Sequence, residues 1–359
     1  MRLVTTIRGT LPVMVLALLA WGAAAPASAE GGGTSADGDA SPQATVACGD
    51  AAALVTAVGQ AASGGTVALT AGCVYTLTSV ATTGADGPDG LPVITGNVTI
   101  TGTGATIRRS ASAPDFRIAE VAPGGNLTLS GITVSNGKAV DGAGILDAGK
   151  LTLQQSTVTG NAASGLGGGI DVAPGATAVL SGSEVSGNTA GDGGGLHSGT
   201  GASLTVSSST FAGNTAQNTG GAIVSWGHSL LSAVTLQGNH TVNFEGGGIW
   251  TSTGDLTFSG GRITGNTSGS FGGGIANFGS TLNVQAAVVS GNTATLNGGG
   301  LFNQSGNTQF VGSNVTNNTA NGGQGGGIFL DGGAVSLIAT TVSGNNPNNC
   351  VPALAGCSG

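Results

Sequence analysis

Charge is what this sequence has least of. Only 7% of its 359 residues are Asp, Glu, Lys or Arg, against about 25% in ordinary globular chains. Just 8 are Lys or Arg, too few for the basic footprint that a nucleic-acid backbone or an anionic membrane surface requires. Nucleic acid is therefore not an expected partner. Proline is sparse, with 10 residues, and Gly falls in clusters rather than at every third position, so a collagen helix is excluded. Past the N-terminal region no apolar run of roughly 20 residues occurs, and no membrane span is expected. Disorder through excess charge is excluded as well, since 39% of the chain is hydrophobic and its mean hydropathy is +0.27. What abounds is Gly, 71 residues, and clustered Gly points to turns.

The N-terminus reads as an export signal. Arg2 and Arg8 precede an apolar run over 11–21, and Ala27, Ser28 and Ala29 form a small-x-small cleavage site. Removal of 1–29 leaves a protein expected to be secreted and extracellular. Residues 30–47 show no periodicity and are expected to be a flexible leader.

Internal repetition dominates the rest. A block of Gly followed by an aliphatic residue ends at Ile145, Ile170, Leu196, Ile223, Ile249, Ile275, Leu301 and Ile328, in steps of 25 to 27 residues. With the same period, an aliphatic-x-x-Asn block ends at Asn161, Asn188, Asn214, Asn239, Asn266, Asn292, Asn318 and Asn345. Between them recur alternating triplets such as Leu-Thr-Leu at 151–153 and Leu-Thr-Phe at 256–258. Alternation over so few residues signals strands with one buried face. Gly supplies positive φ and Asn tolerates the left-handed region, so both mark corners. The expected fold is all-β: a parallel β-helix of about ten coils of ~26 residues, stacked at the strand spacing of ~4.8 Å.

Open solenoid ends need covers. At 48–75 the expected N-terminal cap contains a helix over 51–62, capped by Asp50 and carrying Leu54, Val55 and Val58 on one face. Repeats fill 97–345. At 346–359, Pro347 and Pro352 are expected to end pairing. Four Cys allow three connectivities, but bonded Cα atoms lie within ~7 Å, and pairing across the caps would span the rod. Cys48 with Cys73, and Cys350 with Cys357, is the expected set. The absence of Cys-x-x-Cys argues against zinc.

The Gly-Gly-aliphatic blocks, with Phe211-Ala-Gly-Asn214, resemble the repeats of the polymorphic outer membrane proteins. Over 48–359 the chain also looks like secreted bacterial right-handed β-helix proteins of the pectin-lyase-like superfamily. The resemblance implies right-handed coiling, consistent with the rule for parallel crossovers. It does not supply an activity. The Asn-x-Asp, Asp-Asp, His-Gly and Arg-x-Lys blocks of polygalacturonases do not occur, and Arg262 is the only Lys or Arg from 151 to 359. Lyases acting on acidic sugars need more cations than that, and fold likeness alone does not carry function.

Candidate site residues come from stacking the repeats. The residue after each aliphatic position is Leu146, Asp171, His197, Val224, Trp250, Ala276, Phe302 or Phe329, and strand alternation turns it outward. Asp171 and His197 then lie one coil apart as a candidate catalytic acid–base pair, overhung by Asp192 and Glu245. Surface neighbours brought together by chance are the simpler account of that pair. Trp250, Phe302 and Phe329, with Trp226 and Phe278 two positions further on, could form a stripe for stacking sugar rings or could pack over the Gly corners. His228 and His240 occupy turn-like segments, and the three His fall at different phases, so neither a metal site nor a cofactor is expected. A column read as Thr128, Thr152, Ala178, Thr205, Thr257 and Asn283 is too broken for an ice-binding face. The expectation is an exported non-catalytic binding module, adhesin-like or carbohydrate-binding, whose partner is a polysaccharide or a cell-surface protein. The alternative is a polysaccharide-active lyase or glycoside hydrolase.

Overall fold

The computed structural model describes residues 43–357, so the expected signal segment and the first part of the leader lie outside the described residues. The chain forms an all-β parallel β-solenoid of about 12 turns of about 26 residues, with one short helix near its N-terminal end. In the turn beginning at Ile249, Ile249–Thr251 joins a 10-stranded parallel sheet, while Asp255–Ser259 and Arg262–Thr264 join a 21-stranded sheet. Thr267–Ser268 then joins an 8-stranded sheet. That last strand was not anticipated, because two residues are too few to display an alternation.

The aliphatic column is the spine of the core. Ile223, Ile249 and Ile275 pair in register, and all three are completely buried. Opposite them the alternating strands turn Leu256 and Phe258 inward, also completely buried. Each rung therefore buries the same positions as the last, which is how a chain so poor in aromatics forms one continuous core.

Corners divide their work between residue types differently from expectation. The Asn column is buried but not left-handed; the residue before each Asn takes positive φ, as at Gly265 with φ +62°. Hydrogen bonds are what the Asn side chains contribute instead. Asn266 Nδ2 donates to Leu236 O at 3.0 Å and to Asn292 Oδ1 at 3.0 Å, while its own Oδ1 accepts from the Asn239 N–H at 2.9 Å. The same bonds repeat from Asn161 to Asn345. At the Gly-Gly-Gly corner, Gly272 holds φ +65°. A Cβ on Gly274 would lie 2.6 Å from Gly300 O of the next turn, so the run combines a left-handed residue with close backbone approach.

Several boundaries move. Gln43–Val46, assigned to the leader, is a strand paired in parallel with Gly65–Leu69, which in turn pairs with Asn97–Arg109. Val46 enters the core and its carbonyl accepts from Tyr75 Oη at 3.1 Å. A strand of four residues is too short to give a detectable periodicity. These N-terminal rungs raise the count from ten coils to about 12. At the other end Cys350–Val351 pairs with the strand Ile328–Leu330, so the tail adds a rung where pairing was expected to stop. Pro347 and Pro352 flank that strand without occupying it. In the Thr column, Thr152 lies between Thr128 and Val179, not Ala178, and Thr205 between Val179 and Leu230.

The cap helix spans Ala51–Gln60 and continues as a 3-10 turn to Ser63. Asp50 accepts from the Ala53 N–H at 2.8 Å, and Leu54, Ala57 and Val58 are its buried residues, with Val55 half-buried. Cys48 is bonded to Cys73 and Cys350 to Cys357. Two disulfides, and no helix among the described residues long and apolar enough to cross a membrane, are compatible with an extracellular protein.

Candidate functional site

Every turn presents the outer row of the 10-stranded sheet in the same way. The left-handed Gly of each corner stands against the residue that follows the aliphatic position: a Cβ on Gly193 would lie 2.9 Å from His197 Cβ, and one on Gly246 2.8 Å from Trp250 Cβ. Only Gly leaves that residue room for a large side chain. The row was expected to face solvent freely. Instead it is largely covered, with Asp171 only 6% and His197 only 8% exposed, Val224, Ala276 and Phe302 buried, and Trp250 and Phe329 half-buried. Columns on either side form the walls, because Asp141 and Leu166 before the corner and Ala148, Ala173 and Trp226 after the strand line one cleft with Asp171 and His197.

That cleft encloses about 430 Å³. His197 and Asp171 are register partners on adjacent rungs, and His197 Nδ1 lies 2.7 Å from Asp171 Oδ1. That bond occupies Nδ1 and leaves Nε2 as the ring nitrogen facing the cleft. Asp86 reaches the cleft from an antiparallel hairpin of Thr82–Gly84 and Gly87–Asp89, a departure from the repeat that periodicity could not reveal. Arg117, 1% exposed, ties this hairpin to the solenoid. Its Nη2 donates to the backbone carbonyls of Asp86 at 2.7 Å and Asp141 at 3.2 Å, and its Nη1 to Asp89 at 3.1 Å and Glu120 at 2.7 Å. Burial pushes the Asp89 carboxyl up to about 7 despite the arginine beside it.

Beneath the cleft, Asp147 points into the solenoid and is completely buried. Its Oδ1 accepts from the Gly149 N–H at 3.0 Å, while Oδ2 has no partner. Burial pushes this carboxyl up to about 7, against the pull of the Gly149 and Leu151 N–H groups, and Asp171 raises it slightly further. In an unfolded chain an Asp titrates near 4, so between about pH 4 and 7 the folded state holds a proton that the unfolded state has lost. Stability from this group is complete below about pH 4 and declines as pH rises toward about 7. Asp147→Asn should therefore raise unfolding stability by roughly 2–4 kcal/mol at about pH 8 and by little at about pH 4. Urea titrations at both pH values test this, and equal effects at the two would show that Asp147 does not carry the pH dependence.

Beyond the cleft the aromatics form an unbroken chain along the 10-stranded sheet. Ring centroids lie 5.7 Å apart for Trp226 and Trp250, 5.8 Å for Trp250 and Phe278, 5.6 Å for Phe278 and Phe302, and 5.8 Å for Phe302 and Phe329. Trp226 is 41% exposed and Phe302 only 2%. Phe302 thus corrects its assignment as a ligand-facing residue: it is covered by Phe271, stacked at 4.6 Å, and packs between the half-buried rings of Phe278 and Phe329. Phe271 was missed, although it occupies the position four before the aliphatic residue, the phase that singled out Asp192 and Glu245. Those two acids are not part of the cleft. Asp192 accepts from the Thr219 N–H at 3.0 Å and Thr219 Oγ1 at 2.6 Å, and burial raises the pKa of Glu245. His228 and His240 sit in strands rather than turns, and His228 pairs with Asp255 on the exposed face of the 21-stranded sheet.

Among the described residues no group of three or more His, Cys, Asp or Glu side chains is arranged to hold a metal ion. Compared with family models, with curated proteins and with solved structures, the chain matches none.

Proposed function

We propose that this protein is an exported saccharide-binding solenoid, with the groove over the 10-stranded sheet as its binding face. The observation that carries this reading is the continuous run of rings from Trp226 to Phe329, one per turn over five successive turns. Aromatic faces at strand spacing suit the flat apolar faces of a glycan chain. Packing over Gly corners explains Phe302, which is buried, but leaves the exposure of Trp226 unexplained. The expected export signal, the two disulfides and the resemblance to secreted β-helix proteins support an extracellular setting for such a binder.

Replacing Trp226 and Trp250 together by Ala should weaken glycan binding roughly 30-fold, taking each stacked ring at ~1 kcal/mol. The melting temperature should change little, since both rings lie outside the core. Phe302→Ala should show the reverse, a lower melting temperature with binding per folded molecule reduced only slightly. Wild-type affinity in the double Trp variant would remove the stripe as a binding face.

A second reading, a polysaccharide-active enzyme, is favoured by the Asp171–His197 pair in the cleft. It predicts release of new reducing ends that His197→Gln abolishes while binding persists. Among the described residues no Lys or Arg lines the cleft, so elimination on acidic sugars lacks the cation that would neutralise the substrate carboxylate.

A further inference from the structure

The cleft differs from the rest of the groove in its chemistry. Its ionisable lining is Asp86, Asp141, Asp171 and His197, with Thr200 the only other side chain bearing a polar hydrogen apart from Trp226. Three of these groups are carboxylates, and His197 has committed its Nδ1 to Asp171. Almost everything that faces a ligand here accepts hydrogen bonds. His197 is more than nine-tenths buried and its Nε2 has no partner among the described residues, yet that atom is not sealed from solvent. The way out is the cleft that the imidazole lines. Asp171 has a second oxygen to offer, while Asp141 Oδ1 also accepts from the Leu166 N–H at 2.7 Å.

The buried cation beside the cleft is already paired with two other carboxylates. Arg117 reaches the cleft walls only through backbone carbonyls and directs its charge to Asp89 and Glu120. An acceptor-lined pocket with excess negative charge repels uronic acids and favours a donor-rich cation. Trp226 stands at the same cleft, 41% exposed, and an indole face adds attraction for an ammonium or for the polarised face of the sugar that bears it. Trp226 is also the first ring of the aromatic stripe, so a glycan stacked along the stripe enters the cleft with its end residue.

We infer that the cleft is the terminal subsite of the aromatic stripe and takes a protonated amino sugar, its ammonium held by Asp86, Asp141 and Asp171 and a neighbouring hydroxyl hydrogen-bonded to His197 Nε2. This rests on the saccharide-binding reading above. It adds a chemical class to it: a glycan with free amino groups, in preference to its N-acetylated or acidic counterparts.

The test uses the full chain in isothermal titration with fully deacetylated chitin oligomers, N-acetylated oligomers of the same length and galacturonate oligomers. Deacetylated oligomers should bind roughly tenfold tighter than N-acetylated ones or better, with an advantage that shrinks as salt screens the pair, and galacturonate should bind weakest. Asp86→Asn with Asp171→Asn, which keeps shape and leaves an acceptor for His197, should erase the preference by bringing the affinity for deacetylated oligomers down to that for N-acetylated ones, with the melting temperature showing that the variant is folded. Equal affinity for the charged and acetylated oligomers, or a preference that survives the double Asn variant, would overturn the subsite. If the variant lacking Trp226 and Trp250 still loses binding in that case, the stripe stands without it. If no oligomer binds the wild-type chain, both readings fall together.

Discussion

Ile249→Asp should unfold the middle of the solenoid. Ile249 is completely buried and stacks in register between Ile223 and Ile275. A carboxylate there removes an apolar side chain worth about 2–5 kcal/mol and adds the desolvation of a charge, or the cost of keeping it protonated, at several kcal/mol more. No cation stands ready to pair with it, since Arg262 is the only Lys or Arg from 151 to 359. In a linear array each turn is supported only by its neighbours, so a broken rung also removes the surface on which the next one rests. Circular dichroism and thermal melting should show a midpoint lowered by about 10 °C or more, a scale that follows from about 2–4 °C per kcal/mol in a domain of this size. An unchanged midpoint would mean that the column tolerates water and that the inward register assigned to the aliphatic positions is wrong.

The register itself was legible because it is written eight times. Residues that recur at a fixed place in every turn, such as the aliphatic column and the Asn column, announce their structural role through repetition. Residues that break the pattern do not. The hairpin that carries Asp86 occurs once, and the arginine that pins it, Arg117, stands in a turn that lacks the Gly block of the later ones. Nothing in the spacing connects either to Asp171. Outward direction was read correctly for the row after the aliphatic position, but its depth was not. Depth depends on the heights of the flanking columns, and those are set by loops whose residues differ from turn to turn. The result is that Asp171 and His197 were placed together from sequence, whereas the cleft that encloses them required the fold.

The Asn column was recognised for the wrong physical reason, and a substitution separates the two. If Asn were there for its backbone, Asn266→Asp would be mild, since Asp is nearly isosteric and also visits the left-handed region. The ladder predicts the opposite. Asn266 Oδ1 accepts from the Asn239 N–H and from Asn239 Nδ2, both at 2.9 Å. Its Nδ2 donates to Leu236 O and to Asn292 Oδ1. A carboxylate preserves the accepting half and inverts the donating half, setting an oxygen against two oxygens in a completely buried site. Asn266→Ala deletes both halves, leaving the Asn239 N–H without its acceptor and taking one donor each from the Leu236 carbonyl and Asn292 Oδ1, at about 1–3 kcal/mol for an orphaned buried group and about 1 kcal/mol for each further bond lost. Ala should therefore cost roughly 3–5 kcal/mol. Asp should cost at least as much at neutral pH, because it adds buried charge to the lost donor. Lowering the pH should separate them: protonation of the introduced carboxyl restores one donor and should recover part of the loss, while the Ala variant gains nothing comparable. Unfolding in urea at about pH 4 and about pH 7, on either side of a carboxyl raised by burial, measures both differences. A mild Asp variant with no pH dependence would return the Asn column to a conformational role and reduce the ladder to a consequence of the fold.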